Sequence, residues 1–435
     1  MARVPVALEE LILDIESLDG EGRGVARKPE GKVVFVEDAL PGERVAARVV
    51  KQRAKFDVAA ATRTLNASAS RRPARCAHFG ICGGCATQHV EMRTQMAAKQ
   101  RWLEENLARI GKTRPETILP IIYGEEWGYR RRARLSVRRV ARKGGVLVGF
   151  HERRSSYIAD MHQCPVMPEH ISALINPLRA LVDALSVRQR LPQIEVAVGD
   201  NASALVFRHL EPLQAADERL LCEFGERHGV HLWLQPGAPD TAHPFHPRDS
   251  ELYYTLPEFG VRIGFRPTDF TQVNHGVNRV LVSRAVRLLD PQPGERVADL
   301  FCGLGNFSLP LARRGAQVIG FEGNAELVER ARTNAAANQL MAQFEVLDLF
   351  KQAPNAYGPF EQILLDPPRE GAVEIAKALP ANWPQRIVYV SCDPATLARD
   401  VGVMVHTKGF RLAAAGVVNM FPHTAHVESI ALFER

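Results

Sequence analysis

Residues 295–324 read ERVADLFCGLGNFSLPLARRGAQVIGFEGN, and no other stretch constrains the fold of this 435-residue chain as tightly. An apolar run carries Asp299 near its end, a turn with Gly303 and Gly305 follows, then a helical segment, then a second apolar run ending at Glu322. Strand, tight glycine turn, helix and strand make the repeating unit of a doubly wound parallel sheet. FEQILLDPPRE and QRIVYVSCDPATLARD each add a strand followed by a turn, and VESIALFER adds a last strand. The alternation beginning near residue 280 predicts an α/β domain with its ligands at the carboxyl ends of the strands.

The chain before it is patterned differently. LILDIESL, GKVVFVED and ERVAARVVKQ are short alternating stretches separated by Gly20, Gly22, Gly24, Gly31 and the Pro41-Gly42 pair. They predict a small β-barrel, an architecture that often binds nucleic acid. ASASRRPARC reads as a linker, and residues 120 to about 270 mix strand-like and helical runs. The expected domains are a barrel over 1–65, a central α+β domain over 66–275 and the α/β domain over 276–435.

Composition narrows the class. With 46% hydrophobic and 24% charged residues the chain has enough apolar material to fold, which excludes a disordered protein. It has no apolar run of about 20 residues, so no membrane partner is expected. The first twenty residues carry acids within their apolar part and do not read as a secretory signal. Seven cysteines, an odd number, argue against a disulfide scaffold and for a reducing, cytoplasmic setting. The net charge is +6, but its distribution says more. Arg44–Arg75 holds nine Lys/Arg against Asp57 alone, and Arg130–Arg154 holds ten against Glu152 alone. Two such blocks favour a polyanion partner over a merely solvated surface.

Three motifs carry the chemistry. The turn DLFCGLGN lacks the third glycine of the dinucleotide fingerprint, and Glu322 lies where an acid hydrogen-bonds ribose hydroxyls, so NAD and S-adenosylmethionine both remain open. LLDPPRE fixes Asp366 beside the cofactor on a rigid proline turn, suited to positioning a planar base. N-methyltransferases use a related turn, so this motif does not choose the target atom. VYVSCDP places Cys392 at a strand end, where a thiolate can add to carbon 6 of uracil and turn carbon 5 into a nucleophile. A base must then remove the carbon-5 proton, and FPHTAHVESIALF offers His423, His426 and Glu428. CAHFGICGGC supplies Cys76, Cys82 and Cys85, with Cys164 as a distant fourth thiol. Three local cysteines and one remote one suit a cubane iron–sulfur cluster better than the paired knuckles of structural zinc.

Taken together, the barrel-like residues 1–65, CAHFGICGGC with Cys164, YRRRARL, DFTQVN, DLFCGLGNFS, LLDPPR, SCDP and HVE resemble one family along nearly the whole chain. It is that of the bacterial 23S rRNA uracil-C5 methyltransferases carrying an N-terminal TRAM domain and a 4Fe-4S cluster. The resemblance implies a Rossmann-like S-adenosylmethionine methyltransferase domain behind an OB-like TRAM barrel and a cluster-bearing α+β domain. It implies 23S rRNA as partner, with no obligate protein partner, and S-adenosylmethionine and the cluster as cofactors. By motif, Gln272, Phe301, Asn306, Glu322, Asp348 and Asp366 bind the cofactor, Cys392 is the nucleophile, Glu428 the base, and Cys76, Cys82, Cys85 and Cys164 the metal ligands. Phe270 is the candidate for stacking on a base. The rivals are a nucleic-acid base methyltransferase of another kind (5-methyluridine in another RNA, or N-methylation) or an NAD enzyme, Cys392 and Glu428 having no task in N-methylation or in an NAD enzyme, and a non-catalytic RNA-binding iron–sulfur protein, which leaves the glycine turn idle.

Overall fold

The computed structural model describes residues 10–435, so the first nine residues of the expected barrel lie outside it. The barrel strands are β1 (Glu10–Asp14), β2 (Ser17–Leu18), β3 (Gly24–Arg27), β4 (Val33–Glu37), β5 (Arg44–Gln52) and β6 (Phe56–Asn66). β1 and β2 are one strand bent at Ile15. β1 pairs with β5 and β2 pairs with β3, so this strand closes the order β1-β5-β6-β4-β3-β2 at both ends. Period-2 alternation turns Leu13, Val34, Val36, Val45 and Ala47 inward. The β2–β3 turn docks on the rest of the molecule. A Cβ on Gly20 would meet the Trp102 ring at 2.5 Å, and one on Gly22, at φ +78°, would meet Thr87 at 2.7 Å.

The basic blocks prove unlike one another. In the first, Arg71 forks onto buried Glu43 at 2.5 and 2.7 Å and locks the linker to the barrel. Arg48, Lys51, Arg53, Lys55 and Arg63 have no ion-pair partner among the described residues. The second block is largely committed inside the protein. Arg134 bonds Glu195 at 2.9 Å, Arg131 bonds the Gly199 carbonyl at 3.0 Å, and Arg132 bonds the Thr268 carbonyl at 3.1 Å. Arg153 and Arg154 reach across to barrel acids Asp38 and Glu37.

After the linker come α1 (Met92–Arg109) and the short β7 (Thr117–Ile118). The central sheet holds β8 (Arg132–Val140), β9 (Gly145–Gly149), β10 (Gln193–Val198), β11 (Ser203–Arg208), β12 (His231–Gln235) and β13 (His243–His246) in the order β13-β12-β11-β10-β8-β9. Helices α2 (Glu169–Ser172), α3 (Ile175–Ala184) and α4 (Ala215–His228) accompany it, and Leu178, Val182 and Leu221 share its core with Leu135, Ile194 and Phe207. A hairpin follows, β14 (Leu252–Leu256) and β15 (Val261–Phe265).

The last sheet contains β16 (Arg296–Leu300), β17 (Gln317–Glu322), β18 (Ala342–Val346), β19 (Gln362–Leu365), β20 (Arg386–Ser391), β21 (Arg411–Val418) and β22 (Glu428–Glu434). Its helices are α5 (His275–Leu289), α6 (Ser308–Arg313), α7 (Ala325–Ala337), α8 (Val373–Ala378) and α9 (Pro394–His406). The order is β18-β17-β16-β19-β20-β22-β21-β7, parallel from β18 to β20, with β22 antiparallel between β20 and β21.

Two segments expected in the central domain pack with this sheet instead. Leu103 and Leu107 of α1 are fully buried with Leu397, Val401 and Met404 of α9, while β7 extends the edge beyond β21. The hairpin's Leu252, Tyr254, Ile263 and Phe265 share a core with Val277, Leu281 and Leu304. Among the described residues, no helix is long and apolar enough to cross a membrane.

Candidate active site

The parallel strands end on one edge of the last sheet, and the glycine turn opens a cleft of about 780 Å³ there. Gln272, Phe301, Asn306, Glu322, Asp348, Asp366, Cys392 and Glu428 all line it, as does Phe270. Phe301 follows β16, Glu322 closes β17, and Asp366 follows β19. The turn is bent by positive φ at Phe301 (+65°), Gly303 (+53°) and Gly305 (+89°), values at which a side chain is costly and glycine is free. Glu322 accepts the Asn324 N–H at 3.0 Å and the Gly303 N–H at 3.3 Å, which fixes its carboxylate at the mouth of the turn. Asn306 is held by the Tyr254 hydroxyl at 3.0 Å and by a reciprocal amide pair with Asn278 at 2.9 and 3.1 Å. Asp348 sits at the rim, its carboxylate bound by Lys351 at 2.8 Å. Phe270 is 65% exposed, so it is a rim residue and not core.

Strand register brings the two catalytic candidates together. β20 and β22 run antiparallel with Ser391 opposite Ser429 as their last pair; Cys392 follows the one and Glu428 precedes the other, so both come to the same edge of the sheet. Cys392 is followed by Asp393, whose side chain caps α9 by accepting the Ala395 and Thr396 N–H groups at 2.8 and 3.1 Å. The motif SCDP therefore ends a strand, exposes a thiol and starts a helix within four residues. Glu428 is 3% exposed, and its Oε2 has no hydrogen-bond partner. An orphan carboxylate oxygen in a cleft is costly to keep and is available to a substrate proton.

Electrostatics favour the neutral form of these groups. Burial first, then the Glu428 and Asp366 carboxylates, push the Cys392 thiol up to about 11, against the pull of Arg369. Burial first, then Asp299, pushes Asp366 up to about 7. Glu428 is raised well above the ordinary carboxylate value by burial and then by Asp366, with Lys99 opposing. Three acids sharing a low-dielectric cleft cannot all ionise together.

The two histidines separate. His426 lines the cleft, with Arg369 3.1 Å from its Nδ1. His423 does not line it. It stacks on Trp127 at 3.9 Å and bonds Gln95, and burial lowers its imidazole to about 4. Arg130, Gly83 and Gly84 also line the cleft, so the cysteine-rich loop forms part of its wall.

That loop departs from expectation. Cys82 and Cys164 are buried in the central core with Cys85 packed against them, and Cys76 is close enough to raise the thiols of Cys82 and Cys85. Among the described residues, however, no group of three or more His, Cys, Asp or Glu side chains is arranged to hold a metal ion. Burial raises the Cys85 thiol to about 11 and that of Cys164 to about 12.

Sequence reasoning missed Tyr254, Asn278 and Lys99. Tyr254 and Asn278 sit in apolar alternations that read as core. Lys99 left a signal: Gln95, Lys99, Leu103 and Leu107 recur every four residues on the buried face of α1, and the first two are polar.

A sheet of this order with such a strand-end cleft defines a methyltransferase of the S-adenosylmethionine-dependent class. Its family follows from the comparisons. Residues 260–435 match the family model for tRNA (uracil-5-)-methyltransferases, and residues 9–58 match that of the TRAM domain. A 23S rRNA (uracil(1939)-C(5))-methyltransferase RlmD of Nitrosospira multiformis is 60% identical over 429 residues, which cover 97% of this chain and 98% of the relative. The RlmD of Thiobacillus denitrificans is 60% identical over 430 residues, covering 98% and 99%. The crystal structure of a Pyrococcus abyssi tRNA (uracil-54, C5)-methyltransferase with S-adenosyl-L-homocysteine superposes with a TM-score of 0.73 at 24% identity, covering 97% of this chain and all of that one. The chain belongs to the RlmD family of 23S rRNA (uracil-C5)-methyltransferases.

The raised thiol has a direct consequence. Only the thiolate reacts with an alkylating agent, so iodoacetamide labelling of Cys392 in the free protein should be slow at pH 7 and rise about tenfold per pH unit towards pH 11. Peptide mass spectrometry follows this cysteine separately from the other six. A rate that levels off below pH 8 would show a thiolate stabilised already in the free enzyme.

Proposed function

We propose that this enzyme makes 5-methyluridine in 23S rRNA, at the uracil for which its relatives are named, through a covalent bond between Cys392 and carbon 6. One observation carries the reading: a cysteine and an unpartnered buried carboxylate flank the last pair of the β20–β22 ladder, Ser391 and Ser429, and both line the cleft that the glycine turn opens. The runner-up enzymes, N-methyltransferases and NAD enzymes, give the cysteine and the carboxylate no task.

The target base must leave its stack to reach a strand-end cleft, and exposed Phe270 offers it an aromatic face at the rim. The Cys392 thiol loses its proton to solvent, and the thiolate adds to carbon 6, which places enolate density on carbon 5. S-adenosylmethionine, when bound, supplies an electrophilic methyl sulfonium. Glu322 and Asn306 are assigned to hold that cofactor, with Gln272, Phe301, Asp348 and Asp366 completing its site. Glu428 as carboxylate then takes the carbon-5 proton, the double bond re-forms, and the thiolate leaves. RNA is gripped by the barrel, whose β5–β6 hairpin carries the cations that have no acid partner among the described residues.

The two variants should fail differently. Cys392→Ala should bind RNA and form neither adduct nor product. Glu428→Gln keeps the shape without accepting a proton, so a methylated RNA–protein complex should survive denaturing electrophoresis. Turnover at the wild-type rate by Glu428→Gln, with no adduct, would remove Glu428 from the mechanism. His426, the histidine in the cleft, would then take its place.

We further propose that Cys76, Cys82, Cys85 and Cys164 are the donors of a 4Fe-4S cluster. The chemistry of the donor set supports it: Cys82, Cys85 and Cys164 meet at the central core, and Cys76 is near enough to act on the thiols of Cys82 and Cys85. Such a cluster would staple the cysteine-rich loop to the central sheet. Protein purified anaerobically should be brown, with iron and sulfide each near four per chain, the content of a cubane cluster. Stoichiometric zinc without colour would refute the assignment.

A further inference from the structure

Glu428 is preceded by the loop 419–427, and apart from the Arg369–His426 contact the side chains that anchor that loop, Gln95, Lys99 and Tyr129, belong to the N-terminal part of the chain. Lys99 donates to the Asn419 side-chain oxygen at 2.8 Å and to the Phe421 carbonyl at 2.9 Å. The Tyr129 hydroxyl donates to the Pro422 carbonyl at 2.9 Å. The Gln95 side-chain oxygen accepts the His423 N–H at 2.9 Å, while the Ala86 and Thr87 N–H groups donate to the His423 carbonyl at 2.9 and 3.0 Å. These bonds hold His423 at φ +65°, a left-handed conformation that a histidine keeps only when its surroundings over-determine it.

Within this set Lys99 is singular. It is 5% exposed and has no ion-pair partner within 4.0 Å among the described residues. Asp19 lines the same small cavity of about 30 Å³ between the barrel turn, α1 and the loop, but its carboxylate is engaged by Arg23 at 2.6 Å. The carboxylate that acts on Lys99 electrostatically is Glu428, and its Oε2 is unpartnered. Each of the two moves the other towards its charged form: Glu428 opposes the burial that lowers Lys99 to about 7, and Lys99 opposes the burial and the Asp366 repulsion that raise Glu428. Glu428 also acts on Cys392, and Arg369 acts on Cys392 and His426.

We propose that Lys99 is a positioning residue for the release step: its bonds set the loop that presents Glu428, and it supplies the cation beside that carboxylate. The proposal rests on the Cys392–Glu428 reading above. It ties adduct resolution to a helix outside the family's matched catalytic region, residues 260–435.

The test is single-turnover kinetics of the full-length protein on a 23S rRNA fragment, with adduct formation and adduct release measured separately across pH. Lys99→Met removes both donors and charge. Adduct formation should stay within about threefold of wild type, while release slows by about tenfold or more. Without the cation Glu428 holds its proton more tightly, so the rising limb of release should move to higher pH. Lys99→Gln keeps a donor without the charge, and should show the same pH displacement with a smaller loss of rate. Should Lys99→Met not fold, Lys99→Gln carries the test alone. Equal slowing of formation and release, or an unmoved pH limb in a folded variant, would overturn the proposal. Glu428→Gln runs alongside. If it accumulates no adduct, the underlying reading falls and this one with it; if it does while the Lys99 variants release like wild type, only the role of Lys99 is lost.

Discussion

The antiparallel pairing of β22 with β20 is the constraint on which the site depends. A purely parallel sheet would bring only strand ends and their loops to the cleft edge. Reversing one strand brings the first residue of β22, Glu428, to the same edge at which Cys392 leaves β20. One step of register slip would turn every side chain of β22 to the other face and remove the carboxylate from the cleft. The register is held by burial: Ile430, Ala431 and Phe433 are fully enclosed.

The N-terminal half serves that same strand. α1 lies on α9 and β21, β7 extends the edge, and the cysteine-rich loop bonds the turn that leads into β22. The barrel in turn abuts α1 at Gly20, which admits Trp102, and the segment after the cysteines at Gly22, which admits Thr87. Substrate grip, loop anchoring and chemistry are thus mechanically continuous. Any cluster held by the four cysteines would act through the loop whose Gly83 and Gly84 line the cleft.

Much of the site was legible in the sequence because strand ends are legible. An apolar run that stops at Asp366-Pro367-Pro368 or Cys392-Asp393-Pro394 announces both a strand and its carboxyl end, and the ligand rule does the rest. What could not be read was anything decided across sequence distance. Arg131, Arg132 and Arg134 look like a solvent-facing basic run, yet β8 lies between β9 and β10, and Glu195 stands directly opposite Arg134. α1 falls within the expected central domain by its place in the chain, yet its buried Leu103 and Leu107 pack on α9. The β14–β15 hairpin follows the central strands in the chain but buries its apolar face against α5. The metal site shows the same limit: spacing gathers four thiols, but only their mutual geometry decides whether they enclose a metal.

The central claim is that Cys392 attacks carbon 6 of a uracil in 23S rRNA. RNA carrying 5-fluorouridine at the target tests it most directly, because fluorine leaves no proton for the base to remove and the adduct cannot resolve. Incubated with S-adenosylmethionine, digested and analysed by mass spectrometry, the trapped complex should yield one cross-linked peptide. That peptide should contain Cys392, and its nucleotide should carry both fluorine and the transferred methyl group. A cross-link at any other residue, or full turnover of the wild-type enzyme on this RNA with no trapped species, would contradict the account.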